Sequence, residues 1–193
     1  AVLDPTRTDV LYNLANALQD VGQLQEARHV YTRVISLMPD HYAAHYNLGY
    51  VLEELGEIEP ALREFRTASA LDPNDKDALV NIGNILMQLH EIEAAIAEYK
   101  KAVALDPTSV MAFYNLASAA HALNQHDLAK QYFAKTILLD PHYADAHFNL
   151  GIVHQESGVL DEALKCYDEA ARLNPDLVEA VRAANSIRAN ANR

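Results

Sequence analysis

The chain has 193 residues, half of them hydrophobic, and a formal net charge of −12 at pH 7. This acidity excludes a broad attraction to nucleic-acid phosphates or anionic lipid, which both require clustered lysine and arginine. The single cysteine, Cys166, excludes an internal disulfide, and no signal peptide or apolar run of about 18 residues occurs. We expect a cytoplasmic protein that neither binds nucleic acid nor inserts into a membrane.

Proline marks an internal repeat along the whole chain. Six of the seven prolines stand 34 residues apart, at Pro5, Pro39, Pro73, Pro107, Pro141 and Pro175. A fixed period of this length is typical of stacked helical hairpins, in which neighbouring units bury one another's apolar faces. With the proline at position 32 of each unit, the five complete units are 8–41, 42–75, 76–109, 110–143 and 144–177.

The two ends of the chain differ from the five units. Ala1 to Pro5 align with Val103 to Pro107, so residues 1–7 are predicted to be the tail of a preceding repeat. Residues 178–193 begin like another first helix but become polar, with Asn190 and Asn192 near the end. We expect this last segment to be a capping helix.

Each unit is predicted to contain two helices joined by a short turn. Position 20 is always alanine and position 24 is always aromatic, so both lie on one face of the second helix. These columns are Ala27, Ala61, Ala95, Ala129 and Ala163, followed by Tyr31, Phe65, Tyr99, Phe133 and Tyr167. Position 8, on the first helix, is always glycine or alanine, which allows the two helices to approach closely.

Position 15 lies in the turn between the helices. It is Gly22, Gly56, His90, Asn124 and Gly158. Glycine and asparagine adopt a left-handed backbone at low cost, so His90 is the exception in this column. The second helix is predicted to end just before the proline, because the residue preceding proline is pushed out of the α region.

These columns resemble the tetratricopeptide repeat family, and the resemblance covers essentially the whole chain. It implies an all-α fold, a right-handed α-solenoid whose first helices line a concave groove. The family's tryptophan at position 4 is missing, and His45 and His147 occupy two of these positions. Repeats with asparagine at position 6, as in Tyr12 to Leu18, also look like those preceding the catalytic domain of O-linked N-acetylglucosamine transferases.

The resemblance places the groove at first-helix positions 2, 5, 6, 9, 12 and 13. Position 6 is asparagine in every unit, as Asn13, Asn47, Asn81, Asn115 and Asn149. Stacked amides offer a donor and an acceptor to an extended peptide backbone. Alternatively, these amides bridge neighbouring repeats or hold a first helix, and both roles can coexist.

Aromatic side chains accompany the asparagines. The predicted peptide-binding set adds Tyr12, Tyr46, Tyr114 and Phe148 at position 5, Asn16, Tyr50 and Asn84 at position 9, and the acids Glu53 and Asp77. Aromatic faces beside amides suit peptide binding. The alternative for position 5 is ordinary packing between adjacent first helices.

The first helices of the units contain more acidic than basic residues. The first-helix positions 1–14 hold the acids Asp9, Asp20, Glu53, Glu54, Asp77, Asp145 and Glu156 against one base, Lys76. A negative groove favours a basic or neutral protein or peptide partner, although these acids can also be simple solvated surface groups. Positions 2, 5 and 6 hold no base, so the family's clamp around a C-terminal carboxylate is not expected.

The sequence predicts no catalytic residue, cofactor or metal site. No phosphate-binding loop or nucleophile elbow occurs, and Cys166 has no columnar partner that would make it a nucleophile. His121, His147 and His154 could lie on neighbouring first helices, but they stand at no recognisable ligand spacing.

The leading functional hypothesis is a non-catalytic protein–protein interaction scaffold that binds a partner peptide or helix in its concave groove. One alternative is the substrate-recognition arm of a larger enzyme, such as an O-linked N-acetylglucosamine transferase. Another is a module that self-associates through uncovered apolar repeat ends.

Overall fold

The computed structural model describes residues 5–191 and the side chains of residues 8–190. Over this range the regular structure is entirely helical. The helices are α1 (Pro5–Asp20), α2 (Leu24–Leu37), α3 (Tyr42–Glu54), α4 (Ile58–Leu71), α5 (Lys76–Gln88), α6 (Ile92–Leu105), α7 (Val110–Ala122), α8 (His126–Leu139), α9 (Ala144–Glu156), α10 (Leu160–Leu173) and α11 (Val178–Ala191).

The helix boundaries can be compared with the predicted units. Helices α3, α5, α7 and α9 begin at the first residues of the second to fifth predicted units, and α11 occupies the predicted cap. Helix α1 begins at Pro5, so residues 5–7 belong to a first helix and not to the tail of a second helix. The rest of that predicted tail, residues 1–4, lies outside the described residues.

The described chain divides into two compact units, residues 5–91 with helices α1–α5 and residues 92–191 with helices α6–α11. Within each unit, every helix packs on the next one along the chain. First helices also contact each other directly, α1 with α3 in the first unit and α7 with α9 in the second. This contact brings the groove positions of successive repeats together.

The alanine and aromatic columns of the second helices form the core. All five position-20 alanines are fully buried, and the five position-24 aromatic rings are at most 2% exposed. Burying a large apolar side chain contributes about 1.5–3 kcal/mol, so these rings are major stabilising groups. The ring also explains the small residue at position 8, since a Cβ added to Gly49 would lie 2.8 Å from Phe65.

The turn between the two helices of each repeat is left-handed at position 15. Gly22, Gly56 and Gly158 have φ angles of 74–77°, and His90 and Asn124 have φ angles of 61° and 57°. The prediction for this column is therefore confirmed, and His90 takes the same backbone conformation despite its side chain. In the first unit, the amide of His90 donates to the carbonyl of Met87 at 3.1 Å.

We expect His90→Gly to raise the free energy of unfolding by about 1 kcal/mol, because glycine removes the steric penalty of a left-handed residue. His90 is exposed, so little packing is lost. Chemical denaturation followed by circular dichroism measures the change. Asn124→Gly is the matched variant and should gain less, since asparagine tolerates this region better than histidine. A destabilised His90→Gly protein would contradict the account.

The acid or amide before each proline has a structural role beyond ending the second helix. The side-chain oxygens of Asp72, Asp106, Asp140 and Asn174 each accept from the backbone amide two residues ahead, at 2.9–3.1 Å. This is an Asx turn, which carries the chain from one repeat into the next first helix. Met38 occupies the corresponding position in the first repeat and lacks an oxygen for this bond.

Candidate partner-binding face

The first-helix face is the surface formed by positions 2, 5, 6, 9, 12 and 13 of the first helices, considered separately in each unit. Its position-6 asparagines differ in exposure. Asn13 is exposed, Asn47, Asn115 and Asn149 are half-buried, and Asn81 is only 8% exposed. At position 9, Asn16, Tyr50 and Asn84 are half-buried. The asparagine column is thus partly an interior feature.

Asn47 joins the first two repeats. Its Nδ2 donates to the hydroxyl oxygen of Tyr12 and to Oδ1 of Asn16, both at 3.1 Å. Asn16 Oδ1 also accepts from the hydroxyl of Tyr31 at 2.6 Å, and that hydroxyl lies 2.9 Å from Oε1 of Gln19. The amide donors of Asn47 are therefore directed at α1 and not at solvent.

Asn81 repeats the arrangement one unit further along. Its Nδ2 donates to the hydroxyl oxygens of Tyr46 at 3.1 Å and Tyr50 at 2.8 Å. The two hydroxyl oxygens are 3.2 Å apart, so one hydroxyl donates to the other. Both N–H groups of the Asn81 side chain are used within the protein.

The same bond occurs in the second unit, where Nδ2 of Asn149 donates to the hydroxyl oxygen of Tyr114 at 2.8 Å. In three places, then, a position-6 amide donates to the position-5 tyrosine of the preceding repeat. This geometry favours the alternative in which the asparagines bridge neighbouring repeats. In these bonds the tyrosine hydroxyl oxygens are acceptors, so the hydroxyl protons are directed away from the amides.

The position-5 rings have a packing role. Each of the four aromatic residues contacts the position-24 ring of its own repeat, at centroid distances of 5.7–6.1 Å, in the pairs Tyr12–Tyr31, Tyr46–Phe65, Tyr114–Phe133 and Phe148–Tyr167. All four remain half-buried and not fully enclosed. One part of each ring therefore belongs to the core, and another part contributes to the first-helix face.

Burial keeps the hydroxyl groups on and behind this face protonated. Behind the face, it raises the pKa of the α2 residue Tyr31, whose hydroxyl donates to Asn16, to about 12. Burial is also the largest cause of the raised pKa of Tyr46, followed by the hydroxyl of Tyr50 and the charge of Asp75. The pKa of Tyr114 is raised by burial and by Asp145. These side chains are neutral hydrogen-bonding groups throughout the physiological pH range.

Carboxylates also lie on the first helices or next to them. Glu53 accepts from Gln88 Nε2 at 2.6 Å, while Asp77, the other predicted acid of the site, is exposed near the start of α5. Asp75, the residue before α5, accepts from the hydroxyl of Tyr42. The helices α2, α4, α6, α8 and α10 carry most of the lysine and arginine. Helices α3, α5, α7 and α9 together carry one lysine or arginine, Lys76.

The structure separates the three histidines considered as a metal set. His147 donates from Nε2 to the carbonyl of Pro141 at 3.1 Å, whereas Nδ1 of His154 is buried without a hydrogen-bond partner among the described residues. His121 instead lies beside His126 and Glu156.

Burial raises the pKa of the Cys166 thiol to about 11, so the thiol stays protonated at neutral pH and is a poor nucleophile.

We expect Asn81→Ala to lower the free energy of unfolding by about 1–3 kcal/mol, because the hydroxyls of two half-buried tyrosines lose their amide donor. Thermal and urea unfolding measure the loss, and far-ultraviolet circular dichroism should show native helix content. Asn13→Ala is the matched control, since Asn13 occupies the same column but is exposed. Equal stability of the two variants would show that the Asn81 bonds contribute nothing.

Paired helices repeated in this way define the class of helical-repeat proteins. Models of the tetratricopeptide repeat match residues 12–75, 83–124, 112–143 and 144–177. The chain therefore contains tetratricopeptide repeats, as the resemblance implied, and its fold class is the all-α solenoid of such units. No curated protein matches the sequence at a significant level. Among the described residues, no helix is both long and apolar enough to cross a membrane.

Solved structures show the same fold. MamA has a TM-score of 0.80 and 23% identity, over 86% of this chain and 96% of its own. Residues 41 to the end of MamA from Desulfovibrio magneticus RS-1 give a TM-score of 0.82 and 20% identity, over 88% and 96% of the two chains. YrrB, described as a TPR protein with an unusual peptide-binding site, gives 0.78 and 25% identity over 91% and 90%.

Proposed function

We propose that this chain is a non-catalytic protein–protein interaction scaffold, and that its first-helix faces bind a basic or neutral segment of a partner protein. Tetratricopeptide repeats are typically scaffolds of this kind. The observation that carries the proposal is the recurring bond from a position-6 asparagine to a position-5 tyrosine. It positions the tyrosine hydroxyl oxygens and does not use their protons.

The tyrosine pair bonded to Asn81 retains one hydroxyl proton for a partner. The hydroxyl oxygens of Tyr46 and Tyr50 both accept from the Asn81 amide, and the contact between them uses one of their two protons. The second proton can donate to the carbonyl of a bound peptide. Tyr12 accepts an amide bond from Asn47 and can donate in the same way. The asparagines thus position the groups that bind, in addition to joining the repeats.

Charge selects the partner. The exposed carboxylates of Asp9, Asp20, Glu54 and Asp77 lie on the first helices, so a basic segment is attracted and an acidic one repelled. None of the residues at positions 2, 5 and 6 is lysine or arginine. A clamp around a C-terminal carboxylate is accordingly not part of the proposal.

A phage-displayed library of random peptides tests this selection. We expect the immobilised chain to enrich sequences that are basic or neutral overall, because acidic sequences meet like charge on the first-helix faces. Enrichment should decrease as salt is raised from low to physiological concentration, since exposed charges are screened. Selection of mainly acidic peptides would contradict the proposed partner class.

A second candidate function is self-association, which a specific apolar surface favours. Leu14 is 47% exposed, whereas the corresponding Leu48 and Leu116 of later repeats are at most 5% exposed. Together with Leu18 and Val30 it lines an open groove of about 500 Å³ between α1 and α2. A second copy covering this groove would give a mass that rises with concentration in light scattering. Leu14→Asp should abolish that rise.

The alternative of a recognition arm in an O-linked N-acetylglucosamine transferase rests on the asparagine column alone. Three of these asparagines donate to tyrosines of the preceding repeat. The column therefore has a sufficient structural reason within the repeats, and it does not favour the enzyme-arm hypothesis over a general scaffold.

A further inference from the structure

Two histidines and a glutamate come together at one end of the first helices in the second unit. His121 is in the last turn of α7, His126 is the first residue of α8, and Glu156 is the last residue of α9. One possible ligand atom from each residue lies within 4.8 Å of the other two. We propose that His121, His126 and Glu156 form a binding site for a divalent transition-metal ion, with zinc as the ion best suited to it.

The fold explains why these three residues meet. The left-handed turn at Asn124 reverses the chain after α7 and places His126 beside His121, with ring centroids 6.0 Å apart. Glu156 comes from the next repeat, because position 12 of one first helix faces position 13 of the following one. The same pairing joins Glu53 to Gln88 in the first unit, but those residues are not a metal-binding set.

Zinc binding would require movements of the three side chains, whose ligand atoms lie within 4.8 Å of one another. Oε2 of Glu156 lies 3.6 Å from Nδ1 of His126 and 2.7 Å from Nε2 of His121. Ligands about 2.0–2.2 Å from a tetrahedral zinc are separated from each other by roughly 3.3 Å. The contact between Glu156 and His121 must therefore lengthen by about half an ångström, which the partly exposed Glu156 side chain can accommodate.

The state of His126 supports the proposal. Its Nδ1 is buried and has no hydrogen-bond partner among the described residues. A buried polar atom without a partner is costly, and a nitrogen lone pair directed at a cation would remove that cost. Lys130, the nearby base on α8, is paired with Asp127 at 2.9 Å, which reduces its repulsion of a bound cation.

The ligand set also indicates the kind of ion. Imidazole nitrogens suit zinc, nickel and copper, whereas magnesium and calcium prefer oxygen ligands throughout. Two histidines and one glutamate leave at least one coordination position for water or for a side chain of a partner. Because positions 12 and 13 belong to the first-helix face, a bound ion would lie at the edge of that face. The site does not depend on the proposed peptide binding.

Zinc titration of the chain without a histidine tag tests the proposal, using calorimetry and the visible spectrum of a cobalt(II) complex. We expect one ion per chain. Glu156→Gln and His126→Ala should each weaken binding by about tenfold or more, as the loss of a ligand is at least as damaging as the loss of its supporting hydrogen bonds. His142→Asn, which changes an exposed histidine elsewhere in the second unit, should bind like the unmodified chain.

Circular dichroism of each metal-free variant separates a lost ligand from a lost fold, and Glu156→Gln keeps its helices because Glu156 is exposed. Thermal unfolding gives a second measurement, since an ion that binds only the native state raises the melting temperature. The proposal is overturned if the chain binds no zinc stoichiometrically, or if Glu156→Gln and His126→Ala bind it as tightly as the unmodified chain.

Discussion

Phe65→Ala is expected to lower the free energy of unfolding of the first unit by about 3–5 kcal/mol, the range for removing a fully buried ring. Phe65 is 0% exposed, and its ring meets the edges or faces of Tyr46 and Tyr50 at centroid distances of 5.8 and 5.2 Å. The cavity would also remove the support beneath these two tyrosines. The variant should therefore lose stability and also the fixed arrangement of the Tyr46 and Tyr50 side chains.

Urea unfolding combined with amide hydrogen exchange measures the Phe65→Ala effect. Repeat arrays can depart from all-or-none unfolding, so exchange resolved by residue shows whether α3 and α4 open first. Phe65→Leu should cost much less, because it preserves most of the volume. Arg66→Ala, at the exposed neighbouring position, should change stability by about 0.5 kcal/mol or less. A Phe65→Ala protein as stable as Arg66→Ala would contradict the described core.

Gly151→Val is expected to destabilise the second unit by about 3 kcal/mol, at the upper end of the range for overpacked cores. Even a single Cβ at this position would lie 2.7 Å from the ring of Tyr167 and 3.2 Å from the Cβ of Cys166. Tyr167 is itself 2% exposed and cannot move into solvent without losing its packing. Valine adds two further carbons against the same ring.

Two comparisons separate this clash from other effects of valine. Gly151→Ala should cost less than Gly151→Val, because alanine adds one carbon and improves helix propensity by about 1 kcal/mol. Ala97→Val places the same β-branched residue at an exposed position of α6 and should change stability by about 0.5 kcal/mol or less. Differential scanning calorimetry gives the three values, and equal melting temperatures for Gly151→Val and Ala97→Val would argue against the close approach.

Much of the fold was predictable because each repeat has the same residue types at the positions that determine its structure. Proline ends the second helix, a left-handed residue forms the turn, and alanine with an aromatic ring fills the core. Agreement of five units at each column makes these signals strong, and even His90 adopts the left-handed φ of 61° that its column requires. The start of α1 at Pro5 was not predicted. The first five residues align with the end of a second helix, and this alignment does not indicate that a new helix begins at the proline.

The roles of the site residues were less predictable. A column of asparagines shows that amides stack, but the atom to which each amide donates depends on side-chain rotamers. Asn81 could have pointed into a groove, and instead donates to Tyr46 and Tyr50. A sequence signal does exist, since the tyrosine lies 35 residues before the asparagine in each bonded pair of this kind.

The histidine cluster shows a similar limit. The histidines of the first helices alone suggest His121, His147 and His154, whereas the structure brings His121 together with His126 and Glu156. His126 belongs to the second helix of its repeat, and Glu156 belongs to the next repeat. The turn brings His126 next to His121, and the packing of position 12 against position 13 of the next unit brings in Glu156. Both must be known before the three residues can be grouped.

The most direct test of the central claim is the affinity of a library-selected peptide for the Tyr46→Phe/Tyr50→Phe chain, measured by calorimetry. These changes keep both rings and remove only the hydroxyl groups, so we expect about tenfold weaker binding, the equivalent of one lost hydrogen bond. Tyr132→Phe, on the second helix α8, should bind like the unmodified chain. Unchanged affinity of the double variant would contradict the claim that the tyrosine hydroxyls, held by asparagines of the next repeat, bind the partner.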